Sequence, residues 1–417
     1  MKIDQSKLTR QQLVIRRWAE NKFRGTLEAA TGFGKTYVGI LAIKYVAERI
    51  PEADFLVIVP TTVLKDQWEQ QVTEHKLTTV TVMVINTAIK LPRRAYLTII
   101  DEFHRVAALT FYKLFSVLKY ELILGLTPII EREDERHHLI LTHAPIIDTI
   151  SLTECEQNKW VCPYVVYNLG IDLPDTDKEQ FERLNSTFNK LFAYFGHDFK
   201  FAMKCVVDPN KCTEYAGVTG DTPSDVQRRA SVWRATMQKR RTYLQNSPQK
   251  AEMARKIIEQ ITPKDSKVLV FFQTIVASEQ FAKSLEQGVC AAYHSGLTKK
   301  AKAEVLNRLT DNRTKLRVLA SPIALEEGFD MPQIDYIIVV SGTSVKRQNI
   351  QRMGRGLRFV EGKVAAIINI YLRNTQDARW LKQRQQGVTN IMNITDYRLI
   401  KATNHERKQQ RLKLDFG

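Results

Sequence analysis

Cysteine is scarce in this chain, with five residues in 417, an odd number that forms no regular framework. So few thiols in so long a chain exclude a disulfide-stapled miniprotein and fit a reducing compartment. Long hydrophobic runs are also missing: nothing approaches the roughly 18 consecutive apolar residues that a membrane span needs. The opening Met-Lys-Ile-Asp-Gln-Ser-Lys lacks the apolar centre of a secretory leader. A soluble, intracellular protein of the cytoplasm is therefore expected. No fixed-period repeat and no low-complexity tract is present, which excludes solenoids and fibrous arrays. Acidic residues are the minority, 45 against 62 basic ones, and the net charge of +17 points to a polyanionic partner.

What is present is an ordinary globular composition, 44% hydrophobic and 26% charged, on a chain long enough for two or three domains. Short, nearly continuous apolar runs at Phe55 to Pro60, Leu97 to Asp101 and Leu122 to Leu126 alternate with helical patterns. A second series runs through Lys267 to Phe272, Leu316 to Ala320, Tyr336 to Val340 and Ala365 to Ile370. Such strands, separated by helices, predict α/β lobes with parallel sheets buried on both faces. The expected division is a first lobe over residues 1–150, a linker and helical insertion over 151–250, a second lobe over 251–400 and a basic tail over 401–417.

Within the insertion, Phe181, Leu184, Phe188, Leu191, Phe192 and Phe195 fall at helical spacing and read as helix core rather than as a platform for bases. A second stripe, Val226, Ala230, Trp233, Met237 and Leu244, is flanked by Arg228, Arg229, Lys239 and Arg240, which are expected to contact nucleic-acid phosphates. Ser247 and Pro248 have the form of an N-cap followed by a first-turn proline. The pairs Cys155/Cys162 and Cys205/Cys212 are spaced too widely for a zinc motif, and no zinc site is assigned.

Chemistry concentrates in three places. The segment Ala29-Ala-Thr31-Gly32-Phe33-Gly34-Lys35-Thr36 follows an apparent strand and opens a helix. Glycines let backbone N–H groups wrap a phosphate, the helix N-terminus favours negative charge, Lys35 reaches the β and γ phosphates and Thr36 suits magnesium. The usual first glycine of such a loop is here Ala29. At the end of the Leu97 run stands Asp101-Glu102-Phe103-His104. Asp101 can hold the magnesium ion and Glu102 can polarise an attacking water, although by itself a strand-end acidic pair is more often merely solvated. Finally, Gln351-Arg-Met-Gly-Arg355-Gly-Leu-Arg358 places Arg355 and Arg358 on one helical face, suited to neutralise a transferring phosphoryl group.

In this order the chain resembles a superfamily 2 helicase of the DExH type with two RecA-like lobes. Residues 29–36 resemble motif I, Pro60 to Trp68 motif Ia, Asp101 to His104 motif II and Gly125 to Thr127 the start of motif III. Ala320 to Pro332 resembles motif V and Gln351 to Arg358 motif VI, so the likeness spans residues 8–375. It implies adenine reading by Gln11 or Gln12, nucleotide contacts from Gly328 and Asp330, and a coupling role for His104 and Thr127. It also implies nucleic-acid backbone contacts from Thr61, Thr62, His294, Ser295, Gly296, Ser321 and Thr343, although turn or cap roles are equally open to these residues. Arg132-Glu-Asp134 resembles a short motif of XPB-type helicases, which carry a helical thumb; the general layout is shared with phage recombination helicases that remodel branched DNA.

The expected activity is thus an ATP- and Mg2+-dependent DNA helicase or translocase with 3′-to-5′ movement on single-stranded, forked or branched DNA. Its setting would be recombination, repair or replication, as a monomer meeting proteins of those processes, in a bacterial host's cytoplasm if phage-encoded. The competing readings are an RNA helicase and an ATP-gated nucleic-acid sensor that unwinds nothing. One departure stands out. Where relatives read Gly-Leu-Thr-Ala-Thr, this chain has Pro128-Ile129 after Thr127. A hydroxyl and an N–H donor are lost there, and either the coupling of hydrolysis to strand separation changes or Ile129 simply packs.

Overall fold

The computed structural model describes residues 4–132, 135–322, 334–342 and 363–400. Its first sheet holds β1 (Arg24–Ala29), β2 (Phe55–Val59), β3 (Val80–Val84), β4 (Arg93–Asp101), β5 (Leu118–Thr127) and β6 (Ile146–Ile150). They pair in the order β3-β2-β4-β5-β1-β6, all parallel. The second sheet contains β7 (Tyr164–Ile171), β8 (Val268–Phe272), β9 (Cys290–Ala292), β10 (Val318–Pro322), β11 (Tyr336–Val339), β12 (Ala365–Leu372) and β13 (Ile391–Ile394). Its order is β13-β7-β12-β11-β8-β10-β9, again all parallel. Two RecA-like α/β lobes are therefore present. Every residue of β2, β8, β10 and β11 is buried, as parallel strands covered on both faces require.

One boundary moves. The stretch 151–250 was expected to lie wholly between the lobes, yet β7 pairs with both β12 and β13 inside the second sheet. The physical reason is its composition: Tyr164 to Gly170 is buried throughout and could not stand as a surface linker. Cys162 lies just ahead of β7. The helical insertion proper is four helices, Asp175–Tyr194, Phe199–Val207, Pro209–Thr219 and Pro223–Gln245, leaving the second lobe after β7 and returning before the helix Pro248–Gln260. That last helix starts at the expected proline. The Ser247 side chain does not cap it, however, and its hydroxyl donates to Gln249 Oε1 at 2.5 Å.

The insertion has its own core of Phe195, Ala202, Cys205, Cys212, Val226, Ala230 and Trp233. Phe188 and Phe192 stack on Trp233 with ring centroids 5.9 and 5.6 Å away, so the aromatic stripe is in large part helix core. Phe181, Leu244 and Leu372 form a second, smaller cluster that fastens the insertion to the second lobe. Beneath it the Lys250 ammonium and Asp377 carboxylate form a fully enclosed ion pair at 3.0 Å. Among the described residues, no helix is long and apolar enough to cross a membrane.

Candidate nucleotide site and nucleic-acid surface

Parallel pairing brings the chemistry of lobe 1 to one edge. Glu28 of β1 is in register with Thr127 of β5, and Leu126 of β5 with Asp101 of β4, so the C-terminal ends of three adjacent strands lie side by side. This edge is where an open parallel sheet places its ligands.

After β1 the chain turns through Gly32 and Gly34, at φ +99° and +91°, and enters the helix Lys35–Ala47. Glycine meets both demands at position 34, because a side chain would be strained at that φ and its Cβ would lie 2.8 Å from Gln11 Nε2. Gln11 is buried and donates to the Phe33 carbonyl at 2.8 Å, whereas Gln12 is exposed, which separates the two glutamine candidates. One turn earlier on the same helix, Lys7 Nζ donates to the Gly32 carbonyl at 2.6 Å, and burial lowers the pKa of that ammonium. Phe33 is buried against Trp160, with ring centroids 5.4 Å apart. The loop is thus held from outside by its carbonyls and one ring. Thr31 and Thr36 are half-buried, and the Lys35 ammonium donates to the Ala29 carbonyl at 3.0 Å.

Asp101, at the end of β4, is buried and accepts from Trp68 Nε1 and from the Glu102 backbone N–H, both at 2.9 Å. Burial raises its carboxyl pKa; the Trp68 donor and the nearby Lys35 charge oppose that rise. Lys35 and Asp101 therefore share one electrostatic environment. Gly39 makes the Trp68 contact possible, since a Cβ there would sit 2.5 Å from Trp68 Cη2. Glu102 adopts φ +52°, a left-handed conformation that is uncommon outside glycine and characteristic of functional turns.

A polar chain continues inward. His104, wholly buried, has Nδ1 3.0 Å from Thr127 Oγ1 and 3.4 Å from Glu102 Oε2. Thr127 spends its single hydroxyl proton on the Ile129 carbonyl at 3.0 Å, so His104 Nδ1 is the protonated nitrogen and donates to Thr127. The substituted residue at the edge of motif III thus supplies an acceptor through its backbone. Its Ile129 side chain is buried.

The donor set fits a nucleoside triphosphate with magnesium. Thr36 and Asp101 offer the hard oxygen ligands that Mg2+ takes, and a loop with two left-handed glycines at a helix N-terminus suits phosphate.

Of the expected nucleic-acid contacts, Ser321, the penultimate residue of β10, is fully buried with its hydroxyl donating to the Tyr293 carbonyl at 2.7 Å, so in this structure it does not lie at the surface. Thr61 caps the helix Thr62–Glu74, while Thr62, Ser295 and Gly296 are exposed. His294 is buried, its Nε2 3.2 Å from Glu279. Within the insertion, Arg228 pairs with Asp225 at 2.8 Å, Arg229 with Asp221 at 3.7 Å, and Lys239 is exposed. Arg240, expected to contact nucleic acid, is only 9% exposed, with its guanidinium 4.1 Å from the centre of the Phe188 ring. Gly328, Asp330, Thr343, Gln351, Arg355, Arg358, Glu133, Asp134 and the tail 401–417 lie outside the described residues. Sequence reasoning overlooked Trp68 as the partner of Asp101 and Lys7 as a support of the loop. The second had a signal, because Lys7 and Gln11 are one helical turn apart.

Comparison with known proteins gives two family matches. Residues 6–91 match the family described as "Type III restriction enzyme, res subunit", and residues 249–360 match "Helicase conserved C-terminal domain". A DNA 3′-5′ translocase, XPB2, of Sulfurisphaera tokodaii is 25% identical over 390 residues, covering 89% of this chain and 83% of that protein. A putative ATP-dependent RNA helicase of Methanocaldococcus jannaschii is 29% identical over 126 residues, 28% of this chain and 16% of that protein. The crystal structure of the Pyrococcus furiosus Hef helicase domain aligns over 89% of this chain and 97% of its own length, with TM-score 0.48 and 16% identity.

Proposed function

We propose that this chain, a superfamily 2 helicase, is a DExH-type enzyme that uses ATP and Mg2+ to move 3′ to 5′ along DNA and to unwind or remodel forked and branched structures in recombination, repair or replication. The observation that supports this reading best is the convergence of Lys35, Asp101, Glu102, His104 and Thr127 on one sheet edge, with Gln11 closing the loop behind it.

Backbone N–H groups of the loop and the Lys35 ammonium would bind the phosphates; the Gln11 side chain, buried beside Phe33, would contribute to adenine reading. Thr36 and Asp101 would hold the metal ion, which when bound supplies positive charge at the β and γ phosphates. Trp68 and the Glu102 N–H keep the Asp101 carboxylate oriented for that task. Glu102 would orient and polarise the attacking water. Because Glu102 also faces His104, and His104 donates to Thr127, a shift of the Glu102 carboxylate during turnover would be felt at the end of β5. Arg355 and Arg358 remain the expected sources of charge from the second lobe, so that lobe closure and hydrolysis go together. If the two closure states grip the DNA backbone differently, each cycle moves the strand.

A displacement assay on forked, gapped and four-way DNA, with ATP turnover measured in parallel and tracks of both polarities, tests the proposal. Unwinding that needs ATP and a 3′ track is expected. ATP-dependent binding with no displacement on any substrate would instead establish the sensor reading, and activity confined to RNA duplexes the RNA helicase.

A further inference from the structure

A cavity of about 1110 Å³ lies where the helical insertion meets the helix Gln376–Arg384 of the second lobe. Three features distinguish it from an ordinary crevice. Its walls carry three arginines, Arg240, Arg241 and Arg379, and no carboxylate. Of these Arg240 is 9% exposed, and its Nη1 is buried with no hydrogen-bond partner. An enclosed cation without a counter-charge is costly, and Arg379, close enough to act on it electrostatically, makes the cost larger. Among the rest of the lining, Trp380 offers an aromatic ring and Asn185, Asn189 and Gln238 offer amides, while Phe188 and Phe192 are already stacked on Trp233. The N-terminus of the helix Gln376–Arg384 also opens into the cavity through Thr375 and Gln376, adding its favourable dipole for an anion.

We infer that this cavity binds a nucleoside phosphate, with the phosphate on Arg240 and Arg379 and the base among the aromatic and amide side chains. Guanidinium forks suit phosphate oxygens, flat rings suit a base face, and amides can pair with base edges. A nucleotide could arrive as one unit of a DNA strand or free. The strand form deepens the helicase reading and rests on it; the free form does not. By contrast, Arg228 and Arg229 each face a carboxylate, Asp225 at 2.8 Å and Asp221 at 3.7 Å, so although Arg229 Nε is also buried without a hydrogen-bond partner, neither charge lacks a counter-charge.

The test uses the full chain, a fluorescein-labelled dT16 oligonucleotide and anisotropy across a salt series, with thymidine 5′-monophosphate and inorganic phosphate as competitors. Arg240→Gln and Arg379→Gln are each expected to weaken dT16 about tenfold and to reduce the salt slope by about one. Arg240→Gln should at the same time leave the melting temperature unchanged or raise it, since it removes an unpaired buried charge; Arg379 is exposed, so its variant tests the site even if the other misfolds. Competition by thymidine monophosphate that Arg379→Gln abolishes would make free nucleotide a ligand as well; its absence would restrict the site to strands. Unchanged dT16 affinity and salt slope in both variants would overturn the inference and leave the helicase reading standing. Inorganic phosphate competing as well as the nucleotide would overturn it too, because no base would then be read. A wild-type protein that binds neither dT16 nor nucleotide would overturn both.

Discussion

At the edge of the first sheet, buried polar groups are spoken for: Asp101 by Trp68 and a backbone N–H, His104 by Thr127 and Glu102, Gln11 by the Phe33 carbonyl. In the cavity between insertion and second lobe the opposite holds, with Arg240 enclosed, Arg379 nearby and no carboxylate in the walls. The first arrangement fixes a constellation before any ligand comes, which is what catalysis by electrostatic preorganisation requires. The second leaves charge unbalanced, which is what a site that draws an anion requires. The contrast extends to the surface of the insertion, where Arg228 and Arg229 are paired and Lys239 is exposed.

The largest effect that would sharpen this contrast is expected from Lys35→Ala. Loss of the ammonium that acts on Asp101 should cut ATP turnover by about 100-fold or more, and combining it with Asp101→Asn should add little if, as proposed, the two act at one transition state. Steady-state hydrolysis by the single and double variants reads this, and multiplicative losses would separate the two residues.

Next in size is Lys250→Met. It leaves the buried Asp377 carboxylate without its partner at 3.0 Å and should cost about 3–5 kcal/mol in denaturant unfolding. The same substitution style at Arg240, which has no such partner, should cost little. Equal losses at both positions would erase the distinction between a paired and an unpaired buried cation.

Trp68→Phe is smaller. It removes the indole donor from Asp101, whose carboxyl is already above the usual carboxylate range because it is buried. The ionised form is the one that would hold the metal, so turnover should fall as pH drops through the Asp101 pKa. Losing a donor that lowers that pKa should move the acid limb of the pH–rate profile to higher pH. A limb that stays in place would detach Trp68 from the site.

The smallest effect is expected from Pro128→Ala with Ile129→Thr. The sequence departure raised two alternatives, altered coupling or simple packing. The structure favours the second, because Ile129 is buried and the Thr127 hydroxyl already reaches its backbone carbonyl. Hydrolysis and displacement on one forked substrate should therefore change together and by less than about threefold, within the range of a tolerated packing change. A change in ATP consumed per base pair opened, with turnover constant, would restore the coupling idea.

Legibility in the sequence followed range of interaction. Buried parallel strands announce themselves as apolar runs, and the glycine loop and strand-end carboxylates are contiguous segments, so lobe 1 and its site could be read residue by residue. β7 escaped because an isolated apolar run does not say which sheet it joins; only its pairing with β12 and β13 does. The burial of Ser321 and Arg240 was not legible for a related reason. A hydroxyl near a strand end and a basic residue on a helix look the same in sequence whether they face solvent or, as here, the Tyr293 carbonyl and the Phe188 ring. Trp68 was visible as part of a segment but not as the donor to Asp101, since that contact spans separate elements.

In the proposed mechanism Glu102 activates water at a site already built by Lys35, Asp101 and Thr36. Glu102→Gln keeps the shape and removes the base, so ATP and forked DNA should still bind while DNA-stimulated ATP turnover falls by about 100-fold or more and displacement stops. Retention of most of the turnover by Glu102→Gln would contradict the assignment of the hydrolytic site.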